Sequence, residues 1–367
     1  MTVERAASRM RRTVAGMVLG AVSFAVALGL TEVGLRTVDW SRRLETSSNF
    51  WATWAVYDPV LLRKNQPGFV DDKLGIHINA LGLRGEEIAV SKPAGTTRIV
   101  CLGDSTTFGV FKSGPGDLRA SSAYPTALAA ALRDAGYSHV EVVNAGVLGA
   151  TSASGLTLFL ATLRPLAPDV LVVRLGNNDH SLIRGRESPP LATDAEYTAL
   201  RDLPGWALRS EVVRLAFHGY RRWLATKPWA TTGRQVPLDR YERNLRRLVA
   251  DAHAGGTRVL FLDFPYRELS RGLSPGESFP NYFDDVKSLE ELHAVHATYQ
   301  AVTERVARET GSAYLRTEDA LRAAPKSVFT DYDMSHLDED GARLLARLVF
   351  DEIRKRGWLG EPPVSSP

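Results

Sequence analysis

The stretch Arg98-Ile-Val-Cys-Leu-Gly-Asp-Ser-Thr-Thr-Phe-Gly109 decides the fold that we predict for this chain. Its apolar residues 99–102 are too few for a helix and are rich enough in branched side chains for a buried strand. The run ends at the turn residues Gly103-Asp-Ser105. Open α/β sheets place their sites outside the carboxyl ends of the strands, so Ser105 is well placed for chemistry, although Gly-Asp-Ser is also common in plain turns.

Downstream of this stretch, predicted strands alternate with predicted helices. The alternation predicts a mainly parallel sheet covered by helices on both faces, which is a three-layer α/β/α architecture. The five predicted strands are residues 99–102, 140–143, 170–175, 258–264 and 313–315, and the predicted helices are residues 124–135, 152–163, 238–254, about 286–310 and 338–355. Two stretches break the alternation, and we interpret them as insertions at about 181–236, a candidate lid, and at about 265–285.

The composition excludes several classes of protein. The 367 residues are 44% hydrophobic and 24% charged, which is ordinary for a globular protein. A net charge of +3, with the basic residues scattered, gives no indication of nucleic-acid binding. The single cysteine, Cys101, excludes an internal disulfide and a multi-cysteine metal site, and its place in the first strand predicts a buried structural thiol.

The amino terminus predicts a membrane anchor. Four arginines among residues 5–12 precede residues 14–30, which carry no charge. This run is at the short end for a helix that spans a bilayer, and a signal peptide cleaved after Ala27 is the alternative. We favour the uncleaved anchor because the apolar run continues past that site. The positive-inside rule then places the remainder of the chain outside the cytoplasm, as a single-pass protein of the cell membrane.

The predicted organisation follows from these segments. Residues 1–13 form a basic cytoplasmic N-terminus, residues 14–31 a transmembrane helix, and residues 32–96 a juxtamembrane lead-in. Residues 97–357 form the catalytic domain with the two insertions, and residues 358–367 form a C-terminal tail.

Polar clusters follow three of the predicted strands, and a fourth precedes the last helix. The clusters are Gly103-Asp-Ser105, residues 144–149, residues 176–179 and Asp331-Tyr-Asp-Met-Ser-His336. Covalent ester hydrolysis requires a nucleophile, a base, a group that orients the base, and donors for the oxyanion. Ser105, His336 and Asp333 fit the first three roles, and glycine N–H groups with an asparagine amide fit the last. Each cluster alone is typical of a structural turn; their ordered recurrence favours a site.

This series of clusters resembles the SGNH/GDSL hydrolase family from Arg98 to about Arg354. It is not the G-x-S-x-G elbow of α/β-hydrolases, since Thr107 stands where that motif needs glycine. The resemblance implies a flavodoxin-like strand order, a nucleophile at Ser105, and the D-x-x-H pair at Asp333 and His336. It also implies an oxyanion hole formed by Ser105, Gly149 and Asn178. Two departures are Thr106, where the family name has leucine, and Asn177, where glycine is common.

Other residues compete for these roles. Asp331 is an alternative to Asp333 as the orienting acid, although its spacing from His336 is less favourable. His180 is expected to line the pocket, and Asp104 to brace the loop. A metal site formed by His180, Asp333 and His336 is the remaining alternative; the serine mechanism explains more residues, so we expect neither a metal nor a cofactor.

The sequence therefore predicts a membrane-anchored, extracytoplasmic serine esterase that acts on an acyl ester of a carbohydrate or a lipid. An O-acyltransferase would use the same acyl-enzyme and pass the acyl group to a sugar hydroxyl. A catalytically silent scaffold protein is the third hypothesis, and the complete triad argues against it.

Overall fold

The computed structural model describes residues 2–44, 53–114, 117–120, 123–181, 194–227, 233–267, 288–324, 328–330 and 334–360. In chain order its strands are β1 Ala55–Asp58, β2 Leu62–Asn65, β3 Val70–Asp71, β4 Ile76–His77, β5 Thr97–Gly103, β6 Val110–Gly114, β7 Asp117–Ala120, β8 Val140–Gly146, β9 Val170–Arg174, β10 Arg258–Leu262 and β11 Ala313–Leu315. Its α-helices are α1 Thr2–Thr37, α2 Trp40–Leu44, α3 Ser105–Phe108, α4 Tyr124–Asp134, α5 Ser152–Leu158, α6 Asp194–Asp202, α7 Gly205–Leu208, α8 Glu211–Leu224, α9 Leu238–Ala254, α10 Leu289–Thr310, α11 Glu318–Arg322 and α12 Glu339–Lys355.

A parallel five-stranded sheet forms the centre of the fold. Its strands lie in the order β11-β10-β9-β5-β8, and each neighbouring pair is parallel. Numbered along the chain, this order is 2-1-3-4-5, which is the flavodoxin-like arrangement. The predicted fold class is therefore confirmed, including the number of strands. The carboxyl ends of β5, β8 and β9 lie side by side at one edge, because these three strands are neighbours.

Both faces of the sheet are covered by helices. Alternate residues of β5 enter different cores: Val100 and Leu102 pack on the side of α5 and α9, whereas Ile99 and Cys101 pack on the side of α4 and α12. This alternation follows from the two-residue period of a strand. Cys101 is fully buried, and burial raises the pKa of its thiol to about 12, as expected of an inert structural cysteine.

Most predicted elements agree with the structure, and the differences have physical causes. The helix predicted over residues 152–163 is α-helical only to Leu158; Phe159–Leu163 forms a π-helix and Arg164–Leu166 a 3₁₀-helix. Pro165 in the 3₁₀ turn has no N–H to continue the α-helical ladder. The first insertion contains helices α6, α7 and α8, which its composition did not predict. Residues 182–193 and 228–232 of that insertion, and most of the second insertion, lie outside the described residues.

The lead-in packs against the first strands of the sheet. Asn65 donates from Nδ2 to the carbonyl of Gly146 at 2.9 Å, and the backbone of Arg84 bridges to Asn144. The ring of Trp54 stacks on Phe108 of α3 at a centroid distance of 5.9 Å. These contacts join the lead-in to the segment that carries Ser105.

Helix α1 is longer than the predicted anchor and stands apart from the sheet. Residues 14–30 of this helix are exposed. Within the described part of the chain, this is the one helix that is long and apolar enough to cross a membrane, with a mean hydropathy of 2.1 over its most apolar window in Ala7–Thr37. A signal sequence has the same length and composition, so both predictions for this segment stay open.

Candidate active site

The first polar cluster forms a tight turn between β5 and α3. Asp104 is the N-cap of α3, and its carboxylate accepts hydrogen bonds from the backbone N–H of Thr106 at 2.9 Å and from the Thr106 hydroxyl at 2.7 Å. A Cβ atom on Gly103 would lie 2.0 Å from the hydroxyl oxygen of Thr107, so only glycine fits there. This turn presents Ser105 as the first residue of the helix, and the expected role of Asp104 as a brace agrees with these contacts.

The structure brings Ser105 and His336 together across 231 positions of the chain. His336 Nε2 lies 2.8 Å from Ser105 Oγ, which is hydrogen-bond distance. The loop that carries His336 is held by the bond from the Thr330 N–H to the His336 carbonyl, at 2.9 Å. Asp338 then caps α12, as predicted, by accepting from the Gly341 N–H at 2.8 Å. Both side chains are partly exposed, so solvent and a ligand can reach them.

The orienting acid remains a prediction. Asp333 and its rival Asp331 both lie outside the described residues. On the described side of the imidazole, the Ser335 hydroxyl lies 3.2 Å from His336 Nδ1. This is the nitrogen that an orienting carboxylate contacts in a serine triad.

The candidate oxyanion donors lie on the second and third polar clusters. Gly149 adopts a left-handed conformation with φ of 69°, and a Cβ atom there would approach the Arg63 guanidinium to 3.0 Å. Asn178 donates from Nδ2 to the Ala150 carbonyl at 3.0 Å and to Asp104 Oδ2 at 3.2 Å. Asn178 thus contacts the first cluster and the residue that directly follows the second, and its amide group has two acceptors.

Buried charges lie beneath this turn. Asp104 is fully buried, and desolvation raises its pKa, while the hydrogen bonds from Thr106 and the positive charge of Arg174 oppose that rise. Arg174, at the end of β9, is also fully buried, and none of its three guanidinium nitrogens has a hydrogen-bond partner among the described residues. Its guanidinium carbon lies 4.1 Å from the centre of the Phe264 ring, and desolvation lowers its pKa.

Asp179 is a structural member of the third cluster. Its carboxylate accepts from the backbone N–H of Ser152 at 2.9 and 3.0 Å and from the Ser152 hydroxyl at 2.5 Å. Burial raises the pKa of Asp179 to about 7 against the effect of these bonds. Asn244 of α9 also donates to the Ser152 hydroxyl, at 3.1 Å. These contacts fix the start of α5 to the loop that carries Asn178.

One expectation was wrong, and a group of aromatic residues was missed. His180 does not line a pocket: it is fully buried, with its Nε2 3.0 Å from Nδ1 of His296. The Tyr266 hydroxyl lies 3.2 Å from His180 Nε2 and donates a hydrogen bond to Asn177 Oδ1 at 2.6 Å. Asn177, the residue that departs from the family pattern, is therefore oriented by Tyr266. The only signal in the sequence was the position of Tyr266 just after a strand.

The described residues offer no group of three His, Cys, Asp or Glu side chains arranged to hold a metal ion. Desolvation lowers the pKa of His180 and His296, the latter to about 4, so both are neutral at pH 7. Their ring nitrogens contact each other and Tyr266.

The chain is similar to several known proteins. Residues 101–344 match the model of the GDSL-like Lipase/Acylhydrolase family. No curated protein matches the chain. Similar solved structures include a lipase/acylhydrolase from Enterococcus faecalis, which is 17% identical, with a TM-score of 0.46 over 71% of this chain and 97% of that one. Another is an acetylxylan esterase from Geobacillus stearothermophilus, 19% identical, with a TM-score of 0.42 over 74% of this chain and 97% of that one.

Proposed function

The chain belongs to the GDSL-like lipase/acylhydrolase family and is a hydrolase of ester bonds, and from this premise we propose that it is a serine esterase in which Ser105 forms an acyl-enzyme. The 2.8 Å contact between Ser105 Oγ and His336 Nε2 carries the proposal. That distance is within the range for a nucleophile and its general base. The proposed substrate is an acyl ester of a carbohydrate or a lipid.

The chemistry proceeds in two steps. Ser105 Oγ attacks the ester carbonyl carbon while His336 Nε2 accepts the hydroxyl proton, and the imidazolium then gives that proton to the departing alkoxide. In the second step His336 takes a proton from water, the resulting hydroxide attacks the acyl carbon, and the Ser105–acyl bond breaks with return of the proton to Oγ. Asp333 is the group that we assign to His336 Nδ1, where it holds the tautomer and stabilises the imidazolium.

The developing oxyanion is assigned to the Ser105 and Gly149 N–H groups and the Asn178 side-chain amide. Asn178 Nδ2 already has two acceptors, Ala150 O at 3.0 Å and Asp104 Oδ2 at 3.2 Å. We assign the longer contact, to Asp104, as the one that is exchanged for the oxyanion. The shorter contact then keeps the amide aimed at the site, so that little reorganisation accompanies the reaction.

A fluorophosphonate probe tests the nucleophile directly. We expect it to label the wild type on Ser105, to leave Ser105→Ala unlabelled, and to block hydrolysis of a p-nitrophenyl ester. Asp333→Asn should lose on the order of 10⁴-fold in kcat because the amide favours the wrong imidazole tautomer. Asp331→Asn and Ser335→Ala are the matched controls and should retain most activity. Turnover that survives in Ser105→Ala and is lost on addition of a chelator would disprove the serine mechanism.

We also propose that α1 is an uncleaved membrane anchor and that the hydrolase domain lies outside the cytoplasm. The support is that α1 continues without interruption through the apolar run to Thr37, and that Glu32 near its end is hydrogen bonded to the domain. The full-length protein should stay in the membrane fraction after a carbonate wash. Release by the wash, with an N-terminus at Leu28, would instead establish cleavage of a signal peptide.

A further inference from the structure

The end of α1 is built into the beginning of α8. The Glu32 carboxylate accepts hydrogen bonds from the Ser210 hydroxyl at 2.8 Å and from the backbone N–H groups of Glu211 and Val212 at 3.1 and 3.0 Å. Arg36 Nε donates to the same carboxylate at 2.7 Å. The first N–H groups of a helix have no partner within the helix, so Glu32 supplies one from outside. This contact fixes the position of α8 relative to the membrane-spanning helix.

The contact lies at the level of the membrane surface. The charge-free residues 14–30 end two positions before Glu32. At a rise of 1.5 Å per residue, Glu32 stands about 3 Å beyond the apolar run. The polar interfacial layer on each side of the hydrocarbon core is roughly 6 Å thick. The first turn of α8, and the short helix α7 directly before it, therefore lie beside this layer.

The surface at this level has the composition of a membrane interface. Trp206 in α7 is 77% exposed, although its neighbours Ala207 and Leu208 are buried and fix α7 to the core. Arg36 and Arg209 are exposed beside it, and Arg36 Nη2 lies 3.5 Å from the Arg209 carbonyl. We call Arg36, Trp206 and Arg209 the interfacial patch. A single exposed tryptophan is common on soluble proteins. Trp206 is of interest because α7 lies next to the end of α1, where a membrane interface is expected.

We propose that the interfacial patch rests on the headgroup layer of the membrane that α1 spans, with the Trp206 ring in the interface and both arginines on lipid phosphates. The inference rests on the proposed anchor. Tryptophan is favoured at this depth, because its ring is amphipathic. Each arginine near an anionic surface adds about 1 kcal/mol of attraction. The patch therefore fixes the orientation of the domain on the membrane, which one spanning helix alone leaves free.

The patch also connects the membrane with the active site. The insertion that carries α7 and α8 returns to the third polar cluster, where Gln235 N–H donates to the Ser181 carbonyl at 2.6 Å and Val236 N–H to the Asp179 carbonyl at 2.9 Å. Asp179 directly follows Asn178. The same insertion therefore contacts the lipid surface at α7 and holds the loop of the candidate oxyanion donor.

A fluorescent probe at Gly205 tests the proposal in the full chain. A side chain at Gly205 meets no atom within 4 Å, so Gly205→Cys accepts a thiol-reactive NBD label, whereas the buried Cys101 does not react. The labelled protein is reconstituted in phosphatidylcholine–phosphatidylglycerol vesicles that contain a shallow nitroxide lipid. We expect severalfold stronger quenching at residue 205 than for the same label on Lys355→Cys, an exposed position at the end of α12.

One further variant makes the outcome decisive. Adding Trp206→Ser to the Gly205→Cys protein should reduce the quenching while hydrolysis of a soluble p-nitrophenyl ester stays unchanged. Equal quenching at residues 205 and 355, in protein that sediments with the vesicles, would overturn the interfacial patch and leave the anchor intact. Protein that fails to sediment with the vesicles would overturn the anchor and the patch together. Absence of esterase activity in the wild-type protein would contradict the serine mechanism. It would not affect the anchor or the interfacial patch.

Discussion

Two fully buried arginines lie at opposite ends of the central sheet, and their surroundings differ completely. Arg98, at the beginning of β5, donates to the Glu141 carboxylate and to the carbonyls of Leu166 at 2.7 Å and Ala89 at 2.9 Å. Arg174, at the end of β9, has no hydrogen-bond partner among the described residues. It has only the face of the Phe264 ring and the charges of nearby carboxylates.

We infer from this difference that the two ends of the sheet have different roles. The end with Arg98 maintains the fold, and the end with Arg174 carries the candidate site. A buried cation is costly unless it is paired and hydrogen bonded, and Arg98 meets that condition. Among the described residues Arg174 has no such hydrogen bond, and the carboxylates of Asp104 and Asp263 supply the opposing charge. Its charge interacts with Asp104, whose carboxylate contacts Asn178 and Thr106. We expect substitutions at the Arg98 end to lower stability and those at the Arg174 end to lower activity.

The largest effect should come from the two residues in contact at the site. Ser105→Ala and His336→Ala should each lower kcat on the order of 10⁶-fold, and the double variant should be little worse, since the pair acts as one unit. Neither should lower the melting temperature appreciably, because both side chains are partly exposed. Steady-state kinetics and thermal melts measure the two quantities. Losses that multiply in the double variant would mean that the two residues act independently.

Arg98→Met should produce the opposite result. Removal of the guanidinium leaves the Glu141 carboxylate and the Leu166 carbonyl without their donor, which typically lowers the free energy of unfolding by about 3 to 5 kcal/mol. The kcat of the molecules that remain folded should be unchanged. Urea unfolding gives the stability, and Arg354→Met, which removes an exposed ion pair with Asp351, is the control that should cost less than about 1 kcal/mol.

Asn178→Ala should reduce kcat by roughly 100- to 1,000-fold, which is the usual loss for one oxyanion donor. The change in KM should be smaller. Asn177→Ala should have a milder effect, because Asn177 Oδ1 accepts a hydrogen bond from the Tyr266 hydroxyl and we assign this residue no part in the oxyanion hole. Initial-rate kinetics on a p-nitrophenyl ester distinguish the two. Equal losses of kcat at both positions would contradict the assignment of Asn178, and not Asn177, as the oxyanion donor.

Local patterns predicted the fold, and they singled out Ser105 and His336, which the structure brings into contact. Apolar runs bounded by turn residues located the five strands. Ser105 was located by its place at a strand end, and His336 by the polar cluster before the last helix. In a parallel sheet such ends must converge, so no knowledge of individual packing was needed. The same logic predicted that Asp338 caps α12, because a helix start has a short, local signature.

Contacts between distant parts of the chain could not be predicted in this way. Tyr266 reaches Asn177 across 89 positions, and Glu32 reaches Ser210 across 178. Neither pair has a spacing that a periodic pattern could reveal. The packing of Phe264 over the buried Arg174 was equally hidden, because these two residues are 90 positions apart in the chain.

Arg174→Met should sharpen the comparison with Arg98→Met. The variant loses a buried guanidinium that has no hydrogen-bond partner among the described residues, although its charge opposes those of Asp104 and Asp263. Its free energy of unfolding should therefore fall less than that of Arg98→Met. Its kcat should fall roughly tenfold, equivalent to about 1.4 kcal/mol, because Asp104 then lacks the cation that stabilises its charge. Urea unfolding and initial rates measure both. A large loss of stability with unchanged kcat would show that the two arginines have the same role.

The pH dependence of the same variant should show the smallest effect. Desolvation raises the pKa of Asp104 and the charge of Arg174 opposes that rise, so removing the charge should raise this pKa further. Once protonated, Asp104 loses acceptor capacity toward Thr106 in the turn that presents Ser105. The acid-side decline of kcat should therefore begin at a higher pH than in the wild type. We expect a shift of about half a pH unit, less than for a directly paired Arg and Asp. Arg98→Met is the matched control and should leave the decline in place, since its guanidinium is at the opposite end of β5. A shift toward lower pH in Arg174→Met would contradict the assigned coupling, because it would require the lost positive charge to have favoured the protonated carboxyl.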